Sequence, residues 1–529
     1  MKNLLIFISL FYLQENFSQT FQWVKSIPCS DEIDVKKIIS IDDNSFLLTG
    51  NYKGSINFDS QVISSIGNSD IFISKHDSIG NLIWIKSFGG FDDIEIQDLA
   101  LSSNKGVFIC GTFEGSVLMD TILLTNPTDK NAFLARLDSN GNVLWAKNFE
   151  STSDVEANAI SFDTLYDKLS FVAVYENDVL FDTINQPAFG NSSLLFSVFN
   201  MDGSCDWYTE VSSQDEIEAS SLEHDSIGNI YCLGNFEGNI FFQSNVISNI
   251  SNKDLFLMKT DSTGNLIWFK SVGGTDDVEA AKLFIYDTCL LLIGEFSGTA
   301  NFQNTTVSSS GDKDGFLLNL SLDNAENWIT TFASNDEVSP KDIDVDVFKN
   351  IYVTGSIKSD TYFGNIFVQN NSGEDLFFCK YNSNGNIQWV KSVGGSEDVE
   401  GITISLDNDN DLLFSGNFEG SAFFDSFTLS ALSDKDGFLG KLSTDTIASI
   451  NSKTISSNVN VYPNPTHDQI TLEIESYNGS VNVEVYDLTG KLLKTTTETT
   501  ISMGEYAKGI YVFKLGYGDL TKVVRVARD

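Results

Sequence analysis

The seven tryptophans of the chain are Trp23, Trp84, Trp145, Trp207, Trp268, Trp328 and Trp389, spaced by 61, 61, 62, 61, 60 and 61 residues. A fixed period of this length means that one supersecondary unit is used repeatedly, each copy burying its faces against its neighbours. It also constrains function. Near-equivalent units leave little room for a unique catalytic constellation and favour a shape that binds.

The second unit shows the local structure. Trp84 opens the run WIKSF; an acidic turn leads to EIQDLALSS, GVFICGTFEG, the shorter SVLMDTILL and NAFLARLD, and DSNGN leads into the next unit. Runs rich in Val, Ile, Leu, Phe and Thr, bounded by Gly, Asn, Asp and Ser, are the signature of strands and hairpins. The turns DSIGN (77–81), DSNGN (138–142), DSTGN (261–265) and NSNGN (382–386) put glycine where a positive φ is needed. Runs such as VFIC (107–110) and LLLI (290–293) are apolar on both faces, as in sheets covered on both sides, and no segment carries a helical period. Four main strands per unit predict an all-β fold, a seven-bladed β-propeller over residues 19–443. The period exceeds the roughly 40–50 residues of common blade repeats. The excess is the extra segment seen at 55–65, 239–249 and 421–430, expected as a hairpin or edge extension between the third and fourth runs. The first unit begins with FQWVKS (21–26) and the last ends with DGFLGKLS (436–443), a strand without a successor, so the two are expected to pair and close the circle. An open solenoid would need capping repeats, which the sequence does not offer. The repeats resemble bacterial β-propeller repeats of secreted and surface proteins, on the turns GGFDD, GGTDD and GGSED, the strand IYVTGS (351–356) and the closing NGN. That resemblance implies architecture rather than activity.

Lys2 followed by the apolar run Leu4–Leu13 reads as a secretory signal over residues 1–18, too short to span a bilayer, and no other stretch is long and apolar enough for a membrane helix. The six cysteines share no repeat position and form no CxxC, so neither zinc chemistry nor a disulfide framework is implied. The net charge is −41, of which residues 459–529 contribute only −2. A surface this acidic repels phosphate backbones, which excludes nucleic acid as a partner and leaves cations, basic ligands or simple solubility.

Residues 444–458 are polar and aperiodic and read as a linker. Residues 459–529 then alternate short strands without tryptophan, as in a small C-terminal β-sandwich. This piece resembles the type IX secretion C-terminal sorting domain of Bacteroidota. The matching residues are Tyr462, Pro463, Asn464 and Pro465, the turn Asp487-Leu488-Thr489-Gly490, Gly509-Ile510-Tyr511, and the final run Lys522-Val523-Val524-Arg525. The resemblance implies export by the N-terminal signal, passage through the outer membrane by the type IX machinery, and anchoring to the surface or release.

The most regular chemical feature is the turn after each tryptophan strand. Nine residues on stand Glu32, Asp93, Asp154, Glu216, Asp277, Glu337 and Asp398; eleven on stand Asp34, Glu95, Glu156, Glu218, Glu279 and Glu400, with Ser339 the exception. A branched residue separates each pair, so the two carboxylates share a face and would ring one mouth of a channel. Three readings stay open: loop caps neutralised by local lysines, calcium held by hard oxygens, or a rim for a basic ligand. Lysine is available two residues after the tryptophan at Lys25, Lys86, Lys147, Lys270 and Lys391. No cofactor other than calcium is suggested. His76, His224 and His467 lack the company of any catalytic motif, so no catalytic residue is assigned. The reading is a binding or scaffolding module for an extracellular protein or glycan. An extracellular polysaccharide hydrolase or lyase, and a structural component of an adhesin layer, are the alternatives.

Overall fold

A computed structural model of the chain describes residues 19–41, 44–59, 61–126, 130–444, 459–474, 479–487, 491–517 and 520–529, and among them every regular element is a β-strand. The expected signal segment and residues 445–458 of the expected linker lie outside the described residues. Two compact units result, one within Gln19–Asp445 and one within Thr446–Asp529.

The first unit is propeller-like. Among its described residues three antiparallel sheets are four-stranded and four are six-stranded, the two outermost strands of each six-stranded sheet being a hairpin from the next repeat. The first sheet runs Ile33–Ile41, Ser45–Tyr52, Asp70–Asp77, Leu82–Gly90 from its inner to its outer strand. The seventh runs Val399–Leu406, Leu412–Phe418, Asp436–Leu442 and ends with Phe21–Ile27 from the start of the chain. Val24 lies opposite Gly440 in that pairing. Each inner strand packs beside the inner strands of the sheets before and after it, and Ile33–Ile41 touches both Ile94–Leu101 and Val399–Leu406. Second strands such as Val107–Phe113 and Leu412–Phe418 are buried along their whole length, because neighbouring sheets cover both faces. The core therefore sits in the seams: Leu47, Ile71 and Ile73 of the first sheet pack with Ile94, Ile109 and Phe133 of the second.

The tryptophan period marks those seams. Trp145, Trp207 and Trp328 donate their Nε1–H to the carbonyls of Met201, Ser262 and Ser383 in the following sheet, at 3.1, 2.9 and 3.1 Å. The glycine of the same turn lies under the ring, and a Cβ on Gly80, Gly141, Gly264 or Gly385 would come within 2.6–2.9 Å of Trp23, Trp84, Trp207 or Trp328. Glycine is thus required twice, for its positive φ and for the absent side chain.

The extra segment of each repeat is a hairpin that leaves its own sheet. Ser116–Met119 pairs with Ile122–Thr125 and then clasps the outer strand of the preceding sheet, Val117 opposite Gly90. Asn239–Phe242 does the same against Ser212 and Ser213, and Ile56 bridges Cys29 where the first repeat meets Phe21–Ile27. The paired glycines of the turn motif make room: a Cβ on Gly89 would fall 2.1 Å from the Asp70 carboxyl, and one on Gly90 2.0 Å from the Ser116 carbonyl oxygen.

In the second unit, Val459–Tyr462, Gln469–Ile474 and Thr500–Ser502 form one sheet, and Leu492–Thr496, Val481–Asp487, Gly509–Tyr517 and Leu520–Arg528 another. Ile470, Leu472, Val483, Val485, Phe513 and Val526 share one core. All six cysteines of the chain are free thiols.

Gly80→Ala tests the seam between the N-terminal strand and the first sheet. Its Cβ meets the Trp23 ring at 2.8 Å on a backbone with φ of 78°. Urea unfolding should show a loss of about 1–3 kcal/mol, the strain of a side chain at a left-handed position plus overpacking.

Candidate functional site: the loop face and the channel

The turns that carry the acidic pairs lie against the loops entering each third strand. Val155, Val278 and Val399 donate their N–H to the carbonyls of Lys130, Lys253 and Glu374 at 2.9, 2.9 and 2.8 Å. The carboxylates nine residues after the tryptophan complete the clamp. Asp154, Asp277 and Asp398 accept the N–H of Lys130, Lys253 and Glu374 at 3.0, 3.2 and 2.8 Å. Glu32 and Glu337 instead meet Lys53 and Lys358 at 3.3 and 2.6 Å.

The carboxylates eleven residues after the tryptophan are matched to lysines at the head of the third strands. Glu156 lies 3.7 Å from Lys130, Glu218 3.8 Å from Lys253, Glu279 2.6 Å from Lys313 and Glu400 3.1 Å from Lys435. Asp34 pairs with Lys36 at 2.7 Å and accepts from the Asn417 amide at 3.0 Å. Asp93 and Glu95 line a hollow of about 210 Å³ with Lys130 and Glu156. Glu216 lines one of about 280 Å³ with Asp154, Glu156, Glu218 and Lys253. Among the described residues no group of three or more Asp, Glu, His or Cys side chains gathers as a metal centre would require. The rim carries its own cations, but they are not the expected ones. Lys25, Lys86, Lys147 and Lys391 pair with Asp59, Asp120, Asp182 and Asp425 in the hairpin turns, because the outer strand directs them away from the rim. Four of the lysines that serve the rim, Lys130, Lys253, Lys313 and Lys435, precede the third strand as Lys-Asn-Ala-Phe or Lys-Asp-x-Phe, a recurring signal in the sequence.

Beside this lattice the loops before the third strands thrust apolar side chains into solvent. Phe189 and Leu432 are 79% and 74% exposed, Ile66 and Ile250 occupy the equivalent place, and Phe91, 84% exposed, has its backbone against Gly67. Their backbones are fixed: the N–H groups of Ile66, Ile250 and Leu432 bind Asp70, Asp254 and Asp436 at 3.0, 2.6 and 2.9 Å, and that of Phe189 binds Glu210 at 2.8 Å.

The inner strands leave N–H groups unpaired along their free edge, and side chains of the preceding sheet cap them. Asn51, Asn235 and Asn417 accept from Ile96, Ala280 and Val35 at 2.8, 2.7 and 3.1 Å. Deeper in, Asp98 accepts from Ile160, Asp342 from Ile404 and Asp344 from Leu406 at 3.0, 3.0 and 2.7 Å. Lys37 donates to Asp98 and to the Leu99 carbonyl at 2.5 and 2.7 Å. Glu223 and Lys282 lie within each other's field and within that of Asp98 and Asp342. Desolvation pushes Glu223 up to about 7, although Lys282 and Lys37 act against it; burial likewise pushes Asp344 up to about 7, although two backbone N–H groups act against it. His224 is clamped between Ser161 and Ser170 at 3.0 Å each, and burial lowers it to about 4.

In the second unit the motif residues gather on the terminal strand. The Asn464 amide donates to the Arg525 carbonyl and accepts from the Ala527 N–H, both at 2.8 Å. Thr466 N–H binds the Ala527 carbonyl at 2.8 Å, just after the cis peptides that precede Pro463 and Pro465. Tyr462 donates to Glu473 at 3.2 Å and Tyr511 to the Ala507 carbonyl at 2.7 Å, while Gly509 pairs with Arg528. Gly490 lies outside the described residues.

Residues 460–527 match the family model described as secretion system C-terminal sorting domain. The chain is therefore type IX cargo, exported to the cell surface or secreted. An uncharacterized WD repeat-containing protein of Acanthamoeba polyphaga mimivirus is 20% identical over 377 residues, 56% of this chain and 27% of its own; the chain thus spans about a quarter of that curated relative. Among solved structures, a catalytically inactive virginiamycin B lyase from Staphylococcus aureus with quinupristin aligns at 11% identity and a TM-score of 0.41, over 79% of this chain and 99% of that one. PorZ, a surface component of the type IX secretion system of Porphyromonas gingivalis, aligns at 12% identity and a TM-score of 0.26, over 95% and 82%.

The raised carboxyls of the channel set a pH dependence. Glu223 and Asp344 hold protons in the folded state up to about pH 7, above their release in the unfolded chain. Their contribution therefore falls as pH rises from the ordinary carboxylate range to about 7, opposite to that of depressed groups such as Asp261, which acts near pH 2–4. Glu223→Gln should leave the melting temperature unchanged near pH 4.5 and raise stability at pH 8 by on the order of 1 kcal/mol in calorimetry.

Proposed function

We propose that residues 19–443 form a closed seven-bladed β-propeller, that residues 444–458 link it to a β-sandwich sorting domain over 459–529, and that residues 1–18 are a signal peptide removed on export. Pairing of Phe21–Ile27 with Asp436–Leu442 and the seating of Trp23 on Gly80 support closure. The repeats are of the bacterial surface-propeller kind and the sorting domain of the Bacteroidota kind. The propeller is a displayed binding or scaffolding module, and its ligand is an extracellular protein.

One observation carries this reading: rigidly bonded loops on a single face hold Phe91, Phe189, Ile250 and Leu432 exposed beside a lattice of carboxylates and lysines. Apolar anchors within a charged surround are the anatomy of a protein interface. A photo-crosslinking residue in place of Phe189, in cells that export the chain, should give discrete protein adducts. The same residue in place of Ile227, in a turn at the opposite ends of the strands, should give none. Leu432→Asp with Ile250→Asp should cut the Phe189 adducts at least about tenfold, the loss expected when an interface anchor is replaced by a charge. Equal labelling from both positions, or none from Phe189, would reject the interface.

The carboxylates of the rim act as loop caps whose charge is held by Lys130, Lys253, Lys313 and Lys435. A chelator should accordingly move the melting temperature by less than about 1 °C, whereas a ligand bound only by the folded state would shift it with concentration. A rise of several degrees with millimolar calcium would instead establish a bound ion.

A further inference from the structure

The lysine two residues after a tryptophan has a regular partner in the turn of the following hairpin. Lys25, Lys86, Lys147 and Lys391 lie 3.6, 3.5, 2.5 and 2.9 Å from Asp59, Asp120, Asp182 and Asp425. Where the lysine is replaced by Thr209 or Thr330, the turn residue is Gln243 or Gly364, so charge is lost from both sides together. Lys270 breaks this covariation. Its turn residue is Gln303, whose amide donates to the Asn324 carbonyl, and Lys270 has no ion pair among the described residues.

The same seam departs from the others in two further ways. The interval from Trp268 to Trp328 is one residue short, and the turn at Ser321–Ala325 has no glycine, Asn324 taking a φ of 63°. Trp268 Nε1–H is buried without an acceptor, as are those of Trp23 and Trp389, whereas Trp145, Trp207 and Trp328 each have one. Here the fourth and fifth sheets part around a cavity of about 330 Å³. Its floor is Leu255, Leu257, Leu292, Phe302, Leu318 and Leu320, all buried. Lys270 stands on its rim with Asp323 and Glu326. Glu326 accepts from Asn304 N–H and Thr305 Oγ–H at 2.7 and 2.5 Å and makes no ion pair with Lys270.

We propose that this seam cavity binds a small organic acid, with the ammonium of Lys270 receiving the carboxylate and the leucines and Phe302 covering an apolar body. Pockets for small ligands start at about 300 Å³, and they combine an apolar lining with a few placed polar groups. A charge-assisted hydrogen bond at a partly enclosed rim supplies orientation.

The test uses the full chain and 4-phenylbutyrate as the probe, followed by calorimetry and ligand-observed NMR, with the neutral 4-phenylbutyramide as control. Gln303→Asp gives this turn the residue that neutralises the lysine in four other repeats, and Lys270→Gln removes the cation directly. Both should keep the parent melting temperature and weaken the acid about tenfold or more, the loss expected for one hydrogen bond to a charged group. The amide should bind the parent as weakly as the acid binds the variants. Failure of the acid to saturate the parent, equal affinity for acid and amide, or undiminished binding in both variants would overturn the proposal.

Discussion

An indole set on the turn of the next sheet is the contact on which the other features of the repeat depend. It fixes the distance and rotation between consecutive sheets, so the second and third strands can be apolar on both faces without exposing either. It demands a residue without a side chain beneath the ring, which the D-x-x-G-N turn supplies with glycine at positive φ. Burying most of a large aromatic stabilises each seam by about 2 kcal/mol. Because the contact joins one repeat to the next rather than to itself, no repeat is stable alone, and the set is stable as a chain of neighbours. The hairpin clasp reinforces the same seam from the outside, through backbone pairing such as Val117 with Gly90.

The inner edge poses the opposite problem. A strand with no neighbour on one side leaves N–H groups unpaired, and these must be satisfied. In this chain the preceding sheet reaches across with Asn51, Asn235 and Asn417 near one mouth and with Asp98, Asp342 and Asp344 deeper in the channel. Carboxylates thus serve as backbone caps, both here and in the clamps made by Asp154, Asp277 and Asp398. Burying carboxyls here has an electrostatic consequence: desolvation, with a smaller contribution from neighbouring carboxylates, makes Glu223 and Asp344 keep their protons to higher pH, and Lys37 and Lys282 only partly counter it at Glu223.

Features that repeat along the chain were legible in the sequence. The tryptophan interval, the glycine of the D-x-x-G-N turn, the branched residue between two carboxylates and the extra segment can all be found by aligning the chain with itself. Features that depend on which repeat lies beside which were not. The extra segment was visible, but its pairing with the preceding sheet is a property of three-dimensional neighbours. The lysines two residues after the tryptophans were expected to neutralise the acidic turns, yet Lys25 and Lys86 lie on outer strands that direct them to hairpin turns. The channel group joins Lys37, Asp98, Glu223, Lys282 and Asp344 from five different repeats, and no local spacing announces it. The Asn464 clamp on Arg525 and Ala527 spans most of the C-terminal unit and was visible only as two separate motifs.

Repetition also changes how a functional position is recognised. A residue present in every repeat is explained by the structure that every repeat needs, and the acidic turn illustrates this. Information about a particular ligand has to reside where equivalence fails. Phe189 and Leu432 stand where Ser310 and Asn371 stand in other repeats, so the apolar tips occupy part of the face and give it a direction. Lys270 opposite Gln303 removes a charge pair that four other seams retain, at the seam whose turn carries Asn324 where the others carry glycine. A seam that had only lost its ion pair would be expected to lose the lysine with the aspartate, as the seams with Thr209 and Thr330 have done. An unmatched lysine beside an apolar cavity is retained against the pull of that pattern, and an anionic ligand is the chemistry that would retain it.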